Sequence, residues 1–390
     1  MSKILIVLPG MYYGGMERVA FITREILIKK GHKVELVTLF KGDPDYTPDF
    51  DYTSLNCEIK NSKIGKIINT FQRMYCMRKF KNTYDPDIVL TYGKSPAFVN
   101  VFTKKKEQVF VGIRSYDWLE RFYYGYTLEK LMYRKADKVI SVSKLIQMDA
   151  EKKFAIPKEK STFLYNPYDL EVIQKKAAET IVETEIPNDK KIVVTAGRLE
   201  NQKGFYHLVK AVALLPQSKK NEIHVYIMGH GSKFNELQKL IKQLNLESQI
   251  SLLGGQSNPY KFMSRADLYI MPSISEGFPN ALVEAMAVGT PVLSADCKSG
   301  PREILTNETL EKRTKGIEYG EYGVLFEEVT DSRIYTADTI EECDRIMATA
   351  ISSVLWNQKL LDEYGCKALE RVKAFSYETY TNNLLRIIDQ

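Results

Sequence analysis

Two short stretches of this 390-residue chain carry residue types suited to a ligand that is both anionic and rich in hydroxyls. The first is Ser273 to Leu305, SISEGFPNALVEAMAVGTPVLSADCKSGPREIL. An apolar run ends at Met271-Pro272, a loop carries Glu276 and Gly277, and Pro279 stands where a helix begins. That helix is expected over Asn280 to Val288, with Gly289 as its stop. The first amides of a helix have no partner within it, so Asn280 and Ala281, with the positive end of the helix dipole, suit a phosphate. Gly277 allows close backbone approach. Glu284, one turn in, can accept hydrogen bonds from two neighbouring ribose hydroxyls. Glu276, eight positions earlier on the loop, reaches instead toward hydroxyls of a second sugar. The plainer reading is a helix with a solvated glutamate and a capping loop.

The second stretch is Thr195-Ala196-Gly197-Arg198-Leu199 with Gln202-Lys203-Gly204. Arg198 and Lys203 follow an apolar run and precede a helical pattern. Two cations there can clamp a diphosphate and stabilise the charge that grows on it as a glycosidic bond breaks. Ordinary solvated charges are the alternative.

These groups need a scaffold that brings two loops to one edge. Apolar strand-like runs alternate with longer periodic segments throughout, the pattern of α/β folds with helix-covered parallel sheets. In the first half the strands are expected at Ile4–Leu8, Lys33–Leu39, Ile88–Tyr92, Val109–Ile113 and Lys138–Val142; in the second at Lys191–Ala196, Ile223–Met228, Ile250–Leu253, Leu268–Met271 and Pro291–Ser294. The polar stretch 169–189 reads as a linker between a domain at 1–168 and one at 190–370, with a helical segment at 371–390. Two doubly wound domains would face each other across a cleft, with ligands outside the carboxyl ends of the strands. The loops Gly229-His230-Gly231 and Gly254-Gly255-Gln256 follow later strands and should line the same edge, the second near a base. His230 reads equally well as an exposed loop residue.

The two glutamates of EGFPNALVE, the GRLENQKG block and the glycine loop Gly14-Gly15-Met16-Glu17-Arg18 together resemble the large retaining glycosyltransferase family with the GT-B fold. The resemblance implies that Arg198 and Lys203 bind the donor pyrophosphate, Glu284 the ribose and Glu276 the transferred hexose. It assigns sugar and phosphate contacts to Gly197 and to the backbone of Gly277, Phe278, Pro279, Asn280 and Ala281. Gly14 and Gly15 would close on the phosphates from the opposite domain, to which the final helix would return. Cys297-Lys298-Ser299-Gly300-Pro301-Arg302-Glu303-Ile304-Leu305 is similar to members that build capsular, O-antigen or lipid-linked oligosaccharides, often from UDP-sugars. Many relatives carry a histidine in the first domain where this chain has Ile113-Arg114-Ser115, so Arg114 and Ser115 stand as cleft or acceptor residues and no catalytic histidine is assigned. The implied reaction retains anomeric configuration by a front-side route, needs no cofactor, and delivers a hexose or N-acetylhexosamine to a saccharide or lipid-linked acceptor. A non-catalytic partner subunit and a sugar-nucleotide epimerase on the same fold are the rival readings.

Composition excludes other classes. Hydrophobic residues at 44% and charged residues at 27% describe an ordinary globular chain, neither disordered nor collagen-like. No apolar run reaches the length of a membrane span, and MSKILIVLPG is too brief for a secretory leader, so a cytoplasmic protein is expected. Cys57, Cys76, Cys297, Cys343 and Cys366 match neither a disulfide framework nor a zinc spacing. Asp43-Pro44-Asp45 and Asp85-Pro86-Asp87 match the metal-binding D-x-D string, but the first reads as a turn and the second precedes a strand at the wrong end of its sheet. No metal site is assigned. His32, His207 and His224 read as structural. The cluster Phe122, Tyr123, Tyr124 and Tyr126 reads as packing.

Charge is uneven. Residues 1–185 hold 31 basic against 23 acidic side chains, whereas 186–390 hold 24 against 26. The excess peaks between Lys60 and Lys81, where no acidic residue occurs and Ile64, Ile67, Ile68, Phe71, Met74 and Tyr75 recur at helical spacing. This describes either a basic amphipathic helix on the anionic inner face of a membrane, or a surface helix packing its apolar side on the sheet. No nucleic-acid partner is implied.

Overall fold

The computed structural model describes all residues except 13, 41–47, 58–61, 308 and 390. The chain divides into two compact units, residues 1–167 with 380–390, and residues 168–379.

In unit 1 the strands are β1 (Lys3–Leu8), β2 (Lys33–Thr38), β3 (Thr53–Ser54), β4 (Ile88–Tyr92), β5 (Gln108–Ile113), β6 (Lys138–Ser141) and β7 (Ser161–Phe163). They form one sheet in the order β3-β2-β1-β4-β5-β6-β7, every neighbour parallel. Ile4 to Leu8 are wholly buried, the mark of a central parallel strand covered on both faces.

Unit 2 repeats the plan. Its strands are β8 (Lys191–Ala196), β9 (Ile223–Met228), β10 (Ile250–Gly254), β11 (Leu268–Met271), β12 (Val292–Ala295), β13 (Ile317–Tyr319) and β14 (Val324–Phe326), ordered β10-β9-β8-β11-β12-β14-β13. Only β13 runs antiparallel, against β14. The helix Phe205–Ala213 is buried along almost its whole length, because it packs between the sheet and the helix Glu342–Val354. In each sheet the strand order reverses beside the first strand, between β1 and β4 and between β8 and β11. Such switch points open a crevice at the carboxyl ends of the strands.

The ten expected strands all form, within one residue at each end. The four others, β3, β7, β13 and β14, span two or three residues each, too short for periodicity to register. Within 169–189 a helix forms at Leu170–Ala177, capped by the Asp169 carboxylate and packed on the helices Tyr260–Met263 and Asn280–Ala287. In unit 1, Tyr380 at the start of the last segment bonds Thr23 at 2.6 Å, and Lys138 donates to the Ile387 carbonyl at 3.0 Å.

The helix Lys63–Tyr84 overturns the reading in which its apolar side packs on the sheet. Its buried residues include Asn69, Arg73, Met77 and Lys81, one per turn, while Ile67, Ile68, Phe71 and Tyr75 are exposed. Polar bonds hold it in place. Arg73 donates to Ser95 at 3.1 Å, and Lys81 meets the Glu107 carboxylate at 2.7 Å and the Asn100 carbonyl at 3.2 Å. Lys60 and the side chains of Lys63, Ile64 and Lys66 lie outside the described residues.

The cluster expected to pack is also largely outward. Phe122, Tyr123 and Tyr126 are exposed, because Phe98, Phe102, Tyr133 and Phe154 already fill the space beneath; Tyr124 alone stacks inward, 3.9 Å from Phe98.

Candidate functional site

At the switch point of unit 2 the loop after β8 and the loop after β11 lie side by side, locked by backbone. Ile274 donates to the Gln202 carbonyl at 2.9 Å and Gln202 donates its side-chain amide to the Ser275 carbonyl at 2.7 Å. Gly204 turns the first loop with φ +62°, and a Cβ there would fall 2.0 Å from the Pro272 carbonyl oxygen. Only glycine fits such a seam.

This closeness places Lys203 against Glu276, Nζ to Oε1 2.7 Å, both mostly shielded from solvent. The Lys203 stem lies over Gly197, where a Cβ would stand 3.3 Å from Cε. Arg198, next to Gly197, is exposed, and its carbonyl accepts from the Glu200 amide at 2.8 Å. Its neighbour Leu199 is wholly buried and fixes the loop: its amide donates to the His230 carbonyl at 2.8 Å and its carbonyl accepts from Lys233 at 2.9 Å. The Ser232 amide, with its hydroxyl and the nearby Arg198 charge, holds the Glu200 carboxyl below the usual range.

The loop after β11 is shaped from the other side by 298–300. Glu276 donates its amide to the Lys298 carbonyl at 2.8 Å, Ser299 donates its amide to the Glu276 carbonyl at 3.1 Å, and the Ser299 hydroxyl donates to the Gly277 carbonyl at 2.7 Å. Behind them Arg302 is bonded to Asp296 and Glu318 in a buried network, and its charge draws the Glu318 carboxyl down to about 2.

The helix that follows is Asn280–Ala287, preceded by Pro279 and without a side-chain cap, and it ends at Gly289 with φ +80°. Asn280 accepts from the Tyr168 hydroxyl at 2.6 Å, and Phe278 packs edge-on against Phe375. Glu284 is buried one turn in, where its Oε1 accepts from the Tyr260 hydroxyl at 3.2 Å. Both Glu276 and Glu284 act on the buried Tyr269, whose hydroxyl burial and those two charges push up.

The remaining unit 2 residues sit on the same edge. Gly229, with φ +148°, lies so close to Gly197 that a Cβ would come within 1.8 Å of its carbonyl oxygen. The exposed His230 accepts the Gly255 amide through Nε2 at 3.0 Å, tying the loops after β9 and β10 together, and Gln256 donates to the Leu253 carbonyl.

The candidates of unit 1 lie at the carboxyl ends of β1 and β5. Gly14 caps and Gly15 opens the helix Gly15–Lys29, both exposed, and the carboxylate of Glu17 folds back over Gly14. Arg114 donates to the Asn166 side chain and lies 5.6 Å from the Tyr92 ring, and Ser115 accepts from Trp118. Asp85 pairs with Lys106 at 2.9 Å and Asp87 accepts the Lys3 amide at 2.7 Å; Asp43 and Asp45 lie outside the described residues.

Tyr260 and Tyr168, and the roles of the motif residues Gln202 and Ser299, escaped the sequence reading. Each acts on a motif residue from a distant part of the chain, Tyr260 from 24 positions away, and no spacing rule links them. His207, Cys343 and Asp344 form a buried cluster elsewhere in unit 2, where the His207 to Asp344 contact of 2.6 Å is a hydrogen bond and too close for two ligands sharing an ion.

Residues 13–172 match the family described as Glycosyltransferase Family 4, and residues 177–317 match Glycosyl transferases group 1. An uncharacterized glycosyltransferase of Methanocaldococcus jannaschii is 31% identical over 256 residues, covering 64% of this chain and 62% of that protein. The N-acetylgalactosamine-N,N'-diacetylbacillosaminyl-diphospho-undecaprenol 4-alpha-N-acetylgalactosaminyltransferase of Campylobacter jejuni is 32% identical over 261 residues, 67% of this chain and 62% of that protein. The matched region thus spans 62% of the length of each of these relatives. Among solved structures, HepE of Anabaena in complex with UDP superposes with a TM-score of 0.73 over the whole of both chains, at 16% identity, a likeness of fold. Fold and both matched segments agree: residues 13–172 and 177–317 are each similar to a glycosyltransferase family, on a chain with the GT-B fold.

Proposed function

We propose that the chain transfers a hexose or N-acetylhexosamine from a nucleotide diphosphate sugar, a UDP-sugar by preference, to a saccharide or lipid-linked acceptor in surface-glycan synthesis. The observation that carries this reading is the Lys203–Glu276 pair at 2.7 Å, set at the switch point beside the helix that bears Glu284. A donor needs cations for its diphosphate, amides for a phosphate oxygen and carboxylates for the hydroxyls of two sugars, and this edge supplies all three. The Campylobacter relative's name, with its diphospho-undecaprenol acceptor, supports the lipid-linked choice, and the UDP bound to HepE supports the base.

Lys203 and Arg198 bind the diphosphate, Glu284 the ribose and Glu276 the transferred sugar. Transfer breaks the bond from C1 to the phosphate oxygen, and that electron pair leaves with the diphosphate. The acceptor oxygen forms its bond on the same face, and its proton passes to a departing phosphate oxygen. Lys203 stabilises charge that is larger in the transition state than in the bound donor, so it acts on turnover. Side-chain cations fill the place that a divalent ion takes in other transferases, and the anomeric configuration is kept.

The test is a donor screen by thermal shift and nucleotide release across UDP- and GDP-sugars, with a membrane extract as acceptor. Release that depends on the extract supports transfer. Stabilisation by nucleotide with no release assigns the chain to the non-catalytic class, and release of an epimerised sugar without acceptor assigns it to the epimerases.

A further inference from the structure

We infer that unit 1 docks through one face, built from the helix Lys63–Tyr84 and the segment 121–131, onto the surface of an anionic lipid bilayer. The inference stands on unit 1 alone and does not depend on the donor chemistry of unit 2.

The helix is inside out for a water-facing surface. Phe71 is 66% exposed, Tyr75 71% and Ile67 60%, whereas Arg73 is 6% and Lys81 1% exposed. A helix that needed only to be covered would turn Ile67, Phe71 and Tyr75 toward its neighbours and its cations to water. Here the inward cations are bonded to Ser95, Asn100 and Glu107, so the outward apolar row is fixed by polar anchors and cannot roll inward without breaking them.

A second element extends the row. Tyr123 is 59% exposed, and Phe122, Tyr126, Leu128 and Leu131 stand out beside it. Tyr124 joins the two elements: its ring stacks on Phe98 of the helix Lys94–Phe102, on which Arg73 is also anchored, and its hydroxyl lies beside Thr70. Together they present two rows of exposed aliphatic and aromatic side chains, joined where Tyr124 meets Thr70 and Phe98.

Charge selects the occupant. The helix Lys63–Tyr84 contains no acidic residue and exposes Arg78 and Lys79. Between Arg121 and Lys135 the only carboxylate is that of Glu129, buried and paired with Lys94 at 2.7 Å, while Arg121, Arg134 and Lys135 are exposed. Two copies of this face would press like charges together, which disfavours self-association. Aromatic and aliphatic side chains ringed by cations match instead the headgroup boundary of an anionic leaflet, where tyrosine and phenylalanine enter and lysine and arginine meet lipid phosphate. Among the described residues no helix is long and apolar enough to cross a membrane, so the contact lies on the surface.

The experiment is flotation of the full chain with vesicles of phosphatidylcholine alone and of phosphatidylcholine with phosphatidylglycerol. The wild type should float with the anionic vesicles, less so as salt rises, and the variant Ile67→Ser/Phe71→Ser/Tyr75→Ser should bind at least about tenfold more weakly. Arg78→Gln/Lys79→Gln should weaken binding while leaving a residual apolar component. All five positions are exposed, and circular dichroism with an unchanged melting temperature checks that the variants fold. Absence of flotation, equal flotation with neutral vesicles, or an undiminished triple-serine variant would overturn the inference. A concentration-dependent dimer that the triple-serine variant abolishes would overturn it too, assigning the face to a second copy.

Discussion

The two units share one sheet plan but use its switch point differently. In unit 1 the chain after β4 turns at Gly93 into the helix Lys94–Phe102, and the Lys94 ammonium lies 2.7 Å from Glu129. Glu129 is fully buried and also accepts the amides of Tyr123 and Tyr124 at 2.5 and 3.1 Å. In unit 2 the loops after β8 and β11 hold Lys203 and Glu276 at the same 2.7 Å, yet among the described residues the Glu276 carboxylate accepts no amide and both side chains remain within reach of solvent. One ion pair is saturated and structural. The other has fewer partners, which under the proposed function leaves each of its members able to turn to a ligand. Identical distances therefore mark different roles, and the number of further bonds on the carboxylate tells them apart.

The sharpest way to break this comparison is to remove each lysine. Lys94→Ala leaves a buried carboxylate without its cation and should cost about 3–5 kcal/mol of stability, read as a lower urea midpoint. Lys203→Ala should leave the midpoint nearly unchanged and lower kcat about 10²- to 10³-fold with a smaller change in the donor KM. If Lys203→Ala raised only KM, its leaving-group role would be wrong. Glu284→Ala removes a charged acceptor and should weaken nucleotide binding by about 1.5–3 kcal/mol, measured by calorimetry with UDP. Tyr260→Phe, which removes the hydroxyl bonded to Glu284, should show a smaller loss in the same assay, about 1 kcal/mol.

The smallest effect concerns pH. His207 is buried, which disfavours its charge, but Asp344 outweighs burial and raises it to about 9 from the ordinary 6.5. A folded value above the unfolded one means that this contribution is complete below about pH 6.5 and fades as pH rises through about 9. Urea midpoints at both ends of that window should fall toward alkaline pH in the wild type and change less in His207→Gln.

Sequence made the central strands and the motif glutamates legible, because ILIVL and LYIM runs are buried on both faces and EGFPNALVE concentrates its chemistry in nine residues. The hairpin β13-β14 and the edge strands were not legible, since two or three residues carry no period. The orientation of Lys63–Tyr84 was hidden for another reason. Helical spacing shows that apolar residues share a face, but which way that face turns depends on Ser95 and Glu107, which lie far along the chain. Tyr260 was invisible on the same ground.

The glycines at 197, 204 and 229 set a limit on how donor choice can be altered. At 204 and 229 any added atom would meet a carbonyl oxygen, and at 197 it would press on the lysine stem. Under the proposed function, changes of donor preference must therefore come from side chains such as Gln256, on the loop expected near the base, where the backbone need not move. A library that randomises Gly204 and Gly229 would return mostly collapsed loops instead of new specificities.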